Sequence, residues 1–318
     1  TEPHLPAPSR ILTHWFVYIM PPEVIEQHGD VRDWRNLVGT GPFMLTDLIE
    51  GASLTYAKNP DYWGFDEKYP ENRLPYVDEV TRVEFPEEAS ALAALRSGRI
   101  DFIPWRTLAA KWSLEDTNPE IVAHRFSNRS NDSLAPDHRK PPFDDINVRR
   151  AMQMALDNEN IAVTYWKGLA DPTPQGLIAV EGYHIPFEEW DDEVKQYYRY
   201  DPEAAEKLLD EAGYPRGADG TRFKTTLNHG SFASVDYAEI AAAYWAEIGV
   251  EVEIDVLSGA EYHERLFGRS GEGMYSAISG TLYDPTQSGG WYHSDSQWNR
   301  GGSQWPELDA MIDAALSA

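Results

Sequence analysis

The sequence predicts an α/β protein with more than one domain. Patterns typical of helices and of strands alternate along the chain, and 318 residues, 42% of them hydrophobic, suffice for two cores. Residues 76–85 have a strand pattern, 87–97 form an amphipathic helical pattern closed by Gly98, and 100–103 form a short apolar run. Strand, helix and strand in this order predict a βαβ unit.

The best-defined helix follows two prolines. Pro141 and Pro142 disfavour a helix, and Asp145 is a good N-cap for one that begins near Asn147. Its apolar positions recur at helical spacing and form one stripe: Val148, Ala151, Met152, Ala155 and Leu156. Periodicity alone is typical of a scaffold helix.

The second half of the chain continues the alternation. Asp201, Pro202 and Gly213 are cap, first-turn and termination signals of one further helix. The patterns predict two more helices and three strands, at 235–248 and 261–267, and at 223–228, 250–256 and 274–279. Residues 112–140 are expected to be rich in loops, with one strand at about 120–126 and a polar loop at 127–140.

Composition excludes several classes of function. The chain has no cysteine, so it can form neither disulfides nor thiolate metal sites. Its formal net charge of −26 repels nucleic acid and anionic membranes, so a nucleic-acid partner is not expected. Such an acidic composition is typical of highly soluble proteins or of proteins from a salty habitat. We expect no metal and no cofactor, because the histidines show no metal-ligand spacing and no nucleotide or metal motif is present.

Aromatic residues are unusually frequent. There are 11 Trp and 17 Tyr, and several lie in polar or glycine-rich surroundings: Trp105, Trp166, Trp291, Tyr292, Trp298 and Trp305. Large rings with one polar group suit the walls of a ligand cleft, although each ring alone is more often packing. Combined with 53 acidic residues, the tryptophans leave a carbohydrate-active enzyme or a lectin-like domain as the alternative function. No hydrolase motif supports catalysis, and we expect a protein that is not an enzyme.

Several segments, in order, resemble one protein family. Pro-Phe-Asp-Asp-x-x-Val-Arg-Arg-Ala at 142–151, with Ala-Leu-Asp at 155–157, is similar to the signature helix of extracellular solute-binding proteins. These are the oligopeptide- and dipeptide-binding proteins that serve ABC importers. Gly-Thr-Gly-Pro-Phe at 39–43 and the helix block 201–215 resemble the same family, and the resemblance covers residues 38–318.

The resemblance implies an architecture like that of periplasmic binding proteins: two lobes with mixed sheets flanked by helices. Residues 1–120 would form part of lobe I, and 121–318 would form lobe II, which binds the ligand. Family members carry further chain before and after these segments, so lobe I is expected to be incomplete and the chain a fragment. The implied protein is a monomer, periplasmic or extracellular and cell-surface associated, whose partners are a small solute and an inner-membrane ABC permease.

Ligand-binding residues carried over from the family are Trp105, Asn228, Tyr262, Arg269, Ser279 and Thr281. To these we add Tyr283 and Trp291, because both are aromatic and flank the Asp284-Pro-Thr286 motif. For every one of them, packing is the alternative role.

The resemblance also bears on the ligand. In peptide-binding relatives an Asp three residues before the acid-Pro motif binds the ammonium group of the peptide, and here Thr281 occupies that position. A hydroxyl has no charge with which to pair a buried ammonium. Trp105 offers a flat ring that can stack on a sugar. The sequence therefore favours a neutral or anionic solute, such as an oligosaccharide or an opine-like conjugate, over a free peptide.

Overall fold

The computed structural model describes most of the chain. The described residues are 20–104, 107–124, 130–174, 185–231, 234–280 and 289–317, without the side chains of 130–132, 277–280 and 316–317. Contacts between residues divide them into two compact units that meet in sequence near residues 110 and 120. We call these the N-terminal unit and the C-terminal unit, and describe each by itself. The assignment of 1–120 and 121–318 to functional lobes stays a prediction.

The N-terminal unit is organised around a small antiparallel sheet. Its strands are β1 (Phe43–Ile49), β2 (Ser53–Lys58) and β3 (Glu79–Val83), in the order β1-β2-β3. Its helices are α1 (Pro22–His28), α2 (Glu88–Arg96) and most of α3 (Leu108–Thr117). No residue of the three strands is buried.

The predicted βαβ unit is wrong. The strand β3 pairs antiparallel with β2, and no strand forms at 100–103, where Phe102 is 80% exposed. A short apolar run becomes a strand only where another strand accepts its main-chain hydrogen bonds. Such pairing depends on residues distant in the sequence, so the apolar run 100–103 alone does not show whether a partner strand exists.

The C-terminal unit contains a mixed sheet. Its strands are β4 (Ser130–Pro136), β5 (Phe223–Gly230), β6 (Val250–Leu257) and β7 (Met274–Gly280). They lie in the order β4-β7-β5-β6, with β4 antiparallel to β7 and with β5 parallel to both of its neighbours. The helices are α4 (Ile146–Met154), α5 (Asn158–Thr164), α6 (Asp192–Lys195), α7 (Pro202–Glu211), α8 (Asp236–Glu247), α9 (Gly259–Phe267) and α10 (Pro306–Ser317).

The strand β4 corrects a second expectation. It lies within the stretch predicted to be a polar loop, whereas residues 120–124 of the expected strand form none. Polar composition indicates a loop, but main-chain pairing with β7, from Ser130 opposite Gly280 to Pro136 opposite Met274, makes this segment a strand. The remainder of the expected strand, 125–129, lies outside the described residues.

The helix after the two prolines is confirmed and forms the centre of the core. The carboxylate of Asp145 accepts a hydrogen bond from the Asn147 N–H at 2.7 Å, which caps α4. All five residues of the predicted stripe are buried.

The indole N–H of Trp245 in α8 donates to the Met152 carbonyl at 2.8 Å. The core adds Ala205 and Leu209 of α7 and Leu227 and Val250 of the sheet. Burial of these apolar surfaces against one another therefore fixes α4, α7 and α8 on the sheet.

Among the described residues, none of the helices is long and apolar enough to cross a membrane.

Candidate ligand-binding site

The carboxyl ends of β5 and β6 lie at one edge of the C-terminal sheet. The Ser231 N–H donates to the Leu257 carbonyl at 2.8 Å, so the two strands leave the sheet together. Ser258 then begins α9 with a reciprocal capping box to Glu261. In α/β proteins, ligands bind outside the carboxyl ends of parallel strands. Three of the predicted site residues, Tyr262, Arg269 and Trp291, lie on α9 and after it.

Asn228 is held entirely by protein groups. It is fully buried, and its amide Nδ2 donates to the carbonyls of Glu272 at 2.8 Å and Met274 at 3.0 Å. Its Oδ1 accepts from Nη1 of Arg265 at 3.1 Å, and the same guanidinium nitrogen contacts Asp255 at 2.6 Å. These contacts fix the turn that enters β7. In this conformation Asn228 supports the site rather than facing an open surface.

Tyr262 is likewise interior. Its side chain is 2% exposed, and its hydroxyl donates to the Ser276 carbonyl. The ring packs edge-on against Tyr275, with the ring centroids 6.1 Å apart. Burial raises the pKa of the Tyr262 hydroxyl.

Four rings form a continuous surface, which we call the aromatic row: His263, Phe267, Trp298 and Trp291. His263 stacks on Phe267 with centroids 5.5 Å apart, and Phe267 meets Trp298 edge-on at 5.2 Å. Trp298 and Trp291 follow at 6.5 Å, with their planes tilted by 35°. Phe267 is 40% exposed and both tryptophans are half-buried, so the row combines firm packing with accessible ring area.

Arg269 lies directly after α9, beside the row. Its guanidinium donates to the carbonyls of Ser296 at 3.1 Å and Asn299 at 3.4 Å. Its backbone has a φ of 53°, in the left-handed region that non-glycine residues seldom adopt. The side chain therefore links the end of α9 to the segment that carries Trp291 and Trp298.

The structure brings two predicted residues together and separates two others. Arg269 donates hydrogen bonds to the segment 289–303 that carries Trp291, whereas Asn228 and Tyr262 lie in the interior. Ser279 lies in β7 opposite Asn131, and its side chain is outside the description. Trp105, Thr281 and Tyr283 lie outside the described residues.

Sequence reasoning missed Phe267, Trp298 and Asn299 as parts of the site. A signal existed for two of them. His263 and Phe267 are four residues apart on α9, a spacing that places their side chains on one helix face. Trp298 is one of the tryptophans in polar surroundings. Asn299 carried no distinguishing pattern.

Other sites are less promising. A hollow of about 440 Å³ beside the β1–β2 turn is lined mainly by apolar residues and contains none of the predicted site residues. Across the part of the chain that the structure describes, no three His, Asp or Glu side chains could together hold a metal ion.

The chain is similar to two known bacterial binding proteins. Heme-binding protein A of Haemophilus influenzae is 28% identical over 249 residues, which is 74% of this chain and 42% of that protein. The glutathione-binding protein GsiB of Salmonella typhimurium is 25% identical over 267 residues, 81% of this chain and 47% of its own length. The chain thus spans less than half the length of these two relatives. Both are named as binding proteins.

A solved structure shows the same fold. It is the ABC transporter-associated periplasmic binding protein DppA from Helicobacter pylori, in complex with the peptide STSA, with a TM-score of 0.67 and 22% identity. The match covers 92% of this chain and 55% of that one, which confirms the predicted architecture. The sequence profile of the bacterial extracellular solute-binding proteins, family 5 Middle, matches residues 3–300. The chain belongs to the family 5 bacterial extracellular solute-binding proteins.

Proposed function

We propose that this protein captures a small extracellular solute and delivers it to an ABC permease. One observation carries the proposal: in a chain of this family, an aromatic row lies beside an arginine at the end of α9, the helix that follows β6. Ring faces bind apolar and planar parts of a ligand, and a few polar groups fix its orientation. Such a site binds and releases its ligand without making or breaking bonds.

The solute is proposed to be peptide-like or of similar size. The relatives are named for heme and glutathione, and the solved structure holds a peptide. Within this class we favour a neutral or anionic ligand, including an oligosaccharide or an opine-like conjugate. Thr281 supplies no carboxylate for an ammonium, and Arg269 adds a cation beside the row.

Capture is proposed to follow the closure of two lobes on the ligand, in a monomer located in the periplasm or at the cell surface. Direct ligand contacts are proposed for Trp105, Arg269, Ser279, Thr281, Tyr283 and Trp291. Asn228 and Tyr262 are proposed to support those contacts from the interior, because their polar atoms already bond protein groups.

Two measurements test the proposal. The full-length protein is purified gently, and mass spectrometry identifies any retained small molecule. Calorimetry then compares glutathione, free and N-acetylated tripeptides, and maltotriose. We expect micromolar binding, without turnover, of at least one neutral or anionic member. Hydrolysis of a member would contradict the receptor role, and binding of free tripeptides that is lost on acetylation would contradict the proposed ligand charge.

A further inference from the structure

We propose that Asn299 is a positioning residue that holds the segment 289–303 in the shape needed for binding. We call this segment the aromatic loop, because it carries Trp291 and Trp298. The inference rests on the proposed function in one respect: the ligand is taken to contact the aromatic row. Asn299 acts through the loop and does not itself touch the ligand.

The Asn299 side chain closes the loop on itself. It is 4% exposed, and its Nδ2 donates to the carbonyls of Ser303 at 2.8 Å and His293 at 3.3 Å. Its Oδ1 accepts from the Ser303 N–H at 3.2 Å. One amide therefore joins main-chain groups of His293 and Ser303, which are ten positions apart, and an amide offers the donor and the acceptor that these contacts need.

Four further hydrogen bonds, made by three residues outside the loop, fix it to the rest of the unit. Arg269 donates to the carbonyls of Ser296 and Asn299. The Ser294 N–H donates to Asp309 in α10 at 2.9 Å. The His138 N–H, just after β4, donates to the Gly301 carbonyl at 2.7 Å. Arg269, Asp309 and His138 thus hold the loop from outside. Asn299 holds it from within.

The backbone conformation of Arg269 indicates that its hydrogen bonds to the aromatic loop are important. A φ of 53° is strained for a non-glycine residue, whereas glycine would adopt it without that strain. The chain nevertheless has at this position a side chain that reaches two loop carbonyls.

The consequence for binding is preorganisation. Trp298 directly precedes Asn299, and its ring contacts both Phe267 and Trp291. A loop whose backbone is fixed before the ligand arrives does not lose that freedom on binding, so affinity is higher. Removal of the Asn299 amide would leave the rings present but poorly placed.

The test compares Asn299→Ala with Asn299→Asp and with a matched control. Aspartate keeps the acceptor for Ser303 but has no donor for the two carbonyls. Asn160→Ala is the control, because that amide bonds Tyr244 in the same unit but outside the loop. Hydrogen exchange of the ligand-free full-length protein is measured first, followed by calorimetry with glutathione and N-acetyl-trialanine.

We expect exchange within 289–303 to quicken at least tenfold in both Asn299 variants and to stay unchanged elsewhere. The affinity for whichever probe the wild type binds should fall at least tenfold, while Asn160→Ala changes neither quantity in the loop. Unchanged exchange in the loop, or equal quickening across the whole unit, would overturn the proposal. If Asn299→Ala does not fold, Asn299→Asp carries the test.

The two proposals fail in different ways. If the wild type binds no probe and retains no solute, the proposed function fails. The exchange experiment needs no ligand, so it still decides whether Asn299 holds the loop.

Discussion

Asp137 and Arg139 form a two-pronged ion pair at the turn after β4. Both Nε and Nη2 of Arg139 lie 2.7 Å from carboxylate oxygens of Asp137, which is fully buried. The Asp137 N–H donates to the Gly273 carbonyl at 2.9 Å, and Gly302 leaves no room for a Cβ against the Arg139 guanidinium. The pair therefore joins the turn to the start of β7 and to the end of the aromatic loop.

Asp137→Asn should destabilise the fold by about 3 kcal/mol, because it leaves the arginine without its buried counter-charge. Burial raises the pKa of Asp137, but hydrogen bonds from Arg139 outweigh it and hold that pKa below 3.8. A lowered carboxyl pKa stabilises the fold above pH 3.8, and the contribution is lost as pH falls further. Urea unfolding at pH 7 measures the loss. The exposed pair of Arg82 and Glu84 provides the control, and equal effects of Glu84→Gln and Asp137→Asn would contradict the expectation.

His138 should make stability depend on pH in a higher range. Burial, assisted by the charge of Arg149, lowers its pKa from 6.5 to about 4. The folded protein therefore holds the ring neutral, while the unfolded chain takes up a proton below pH 6.5. Stability from this group is full above pH 6.5 and declines as pH falls to 4, by at most about 3 kcal/mol.

Unfolding free energies at pH 7 and pH 4.5 measure this decline in the wild type and in His138→Gln. Glutamine does not titrate, so the difference between the two pH values should be smaller in the variant. The same difference in both proteins would show that other groups cause the decline.

Leu209→Ala should cost about 2–5 kcal/mol, the range for truncating a buried leucine. The side chain of Leu209 in α7 is fully buried in the core that includes α4. Its truncation would leave a cavity. Lys207→Ala on the exposed face of α7 is the matched control and should change stability by less than 0.5 kcal/mol. Thermal unfolding of both variants compares the effects, and a similar loss in both would argue against the described packing.

Local signals in the sequence were sufficient for the helices. Asp145 and Asp201 cap α4 and α7 as predicted, with their carboxylates accepting from main-chain N–H groups two and three residues on. Such contacts lie within one turn, so the sequence contains all the information that they need. The family resemblance added the architecture, which the residue patterns alone did not define.

Contacts between distant residues could not be predicted. The strand β4 exists because β7, about 140 residues away, accepts its hydrogen bonds, and its own polar residues indicated a loop. Arg269 was chosen as a ligand contact, yet its described bonds go to carbonyls 27 and 30 residues further on. Trp298 was one of several tryptophans in polar surroundings, and its contact with Phe267 of α9 became visible only in the fold.

Trp298→Ala should weaken ligand binding by at least about 2 kcal/mol, the scale of aromatic hot spots. Its ring is the centre of the aromatic row and contacts rings on both sides. Calorimetry with the solute that the full-length protein retains measures the change. Trp63→Ala is the control, because that ring is 73% exposed in the N-terminal unit. Equal losses in the two variants, or none in Trp298→Ala, would remove the row from the proposed site.

Arg269→Gly should weaken ligand binding while changing the stability of the fold little. Glycine loses the two hydrogen bonds to loop carbonyls but relieves the backbone strain at a φ of 53°, so unfolding free energy should change by less than about 1 kcal/mol. Arg269→Ala keeps the strain and should be about 1 kcal/mol less stable than Arg269→Gly. Both variants lack the guanidinium, and both should bind ligand about 1.5–3 kcal/mol more weakly than wild type. Urea titration and calorimetry of the two variants provide both quantities. If Arg269→Gly bound like wild type, the guanidinium would be dispensable and the loop alone would account for affinity.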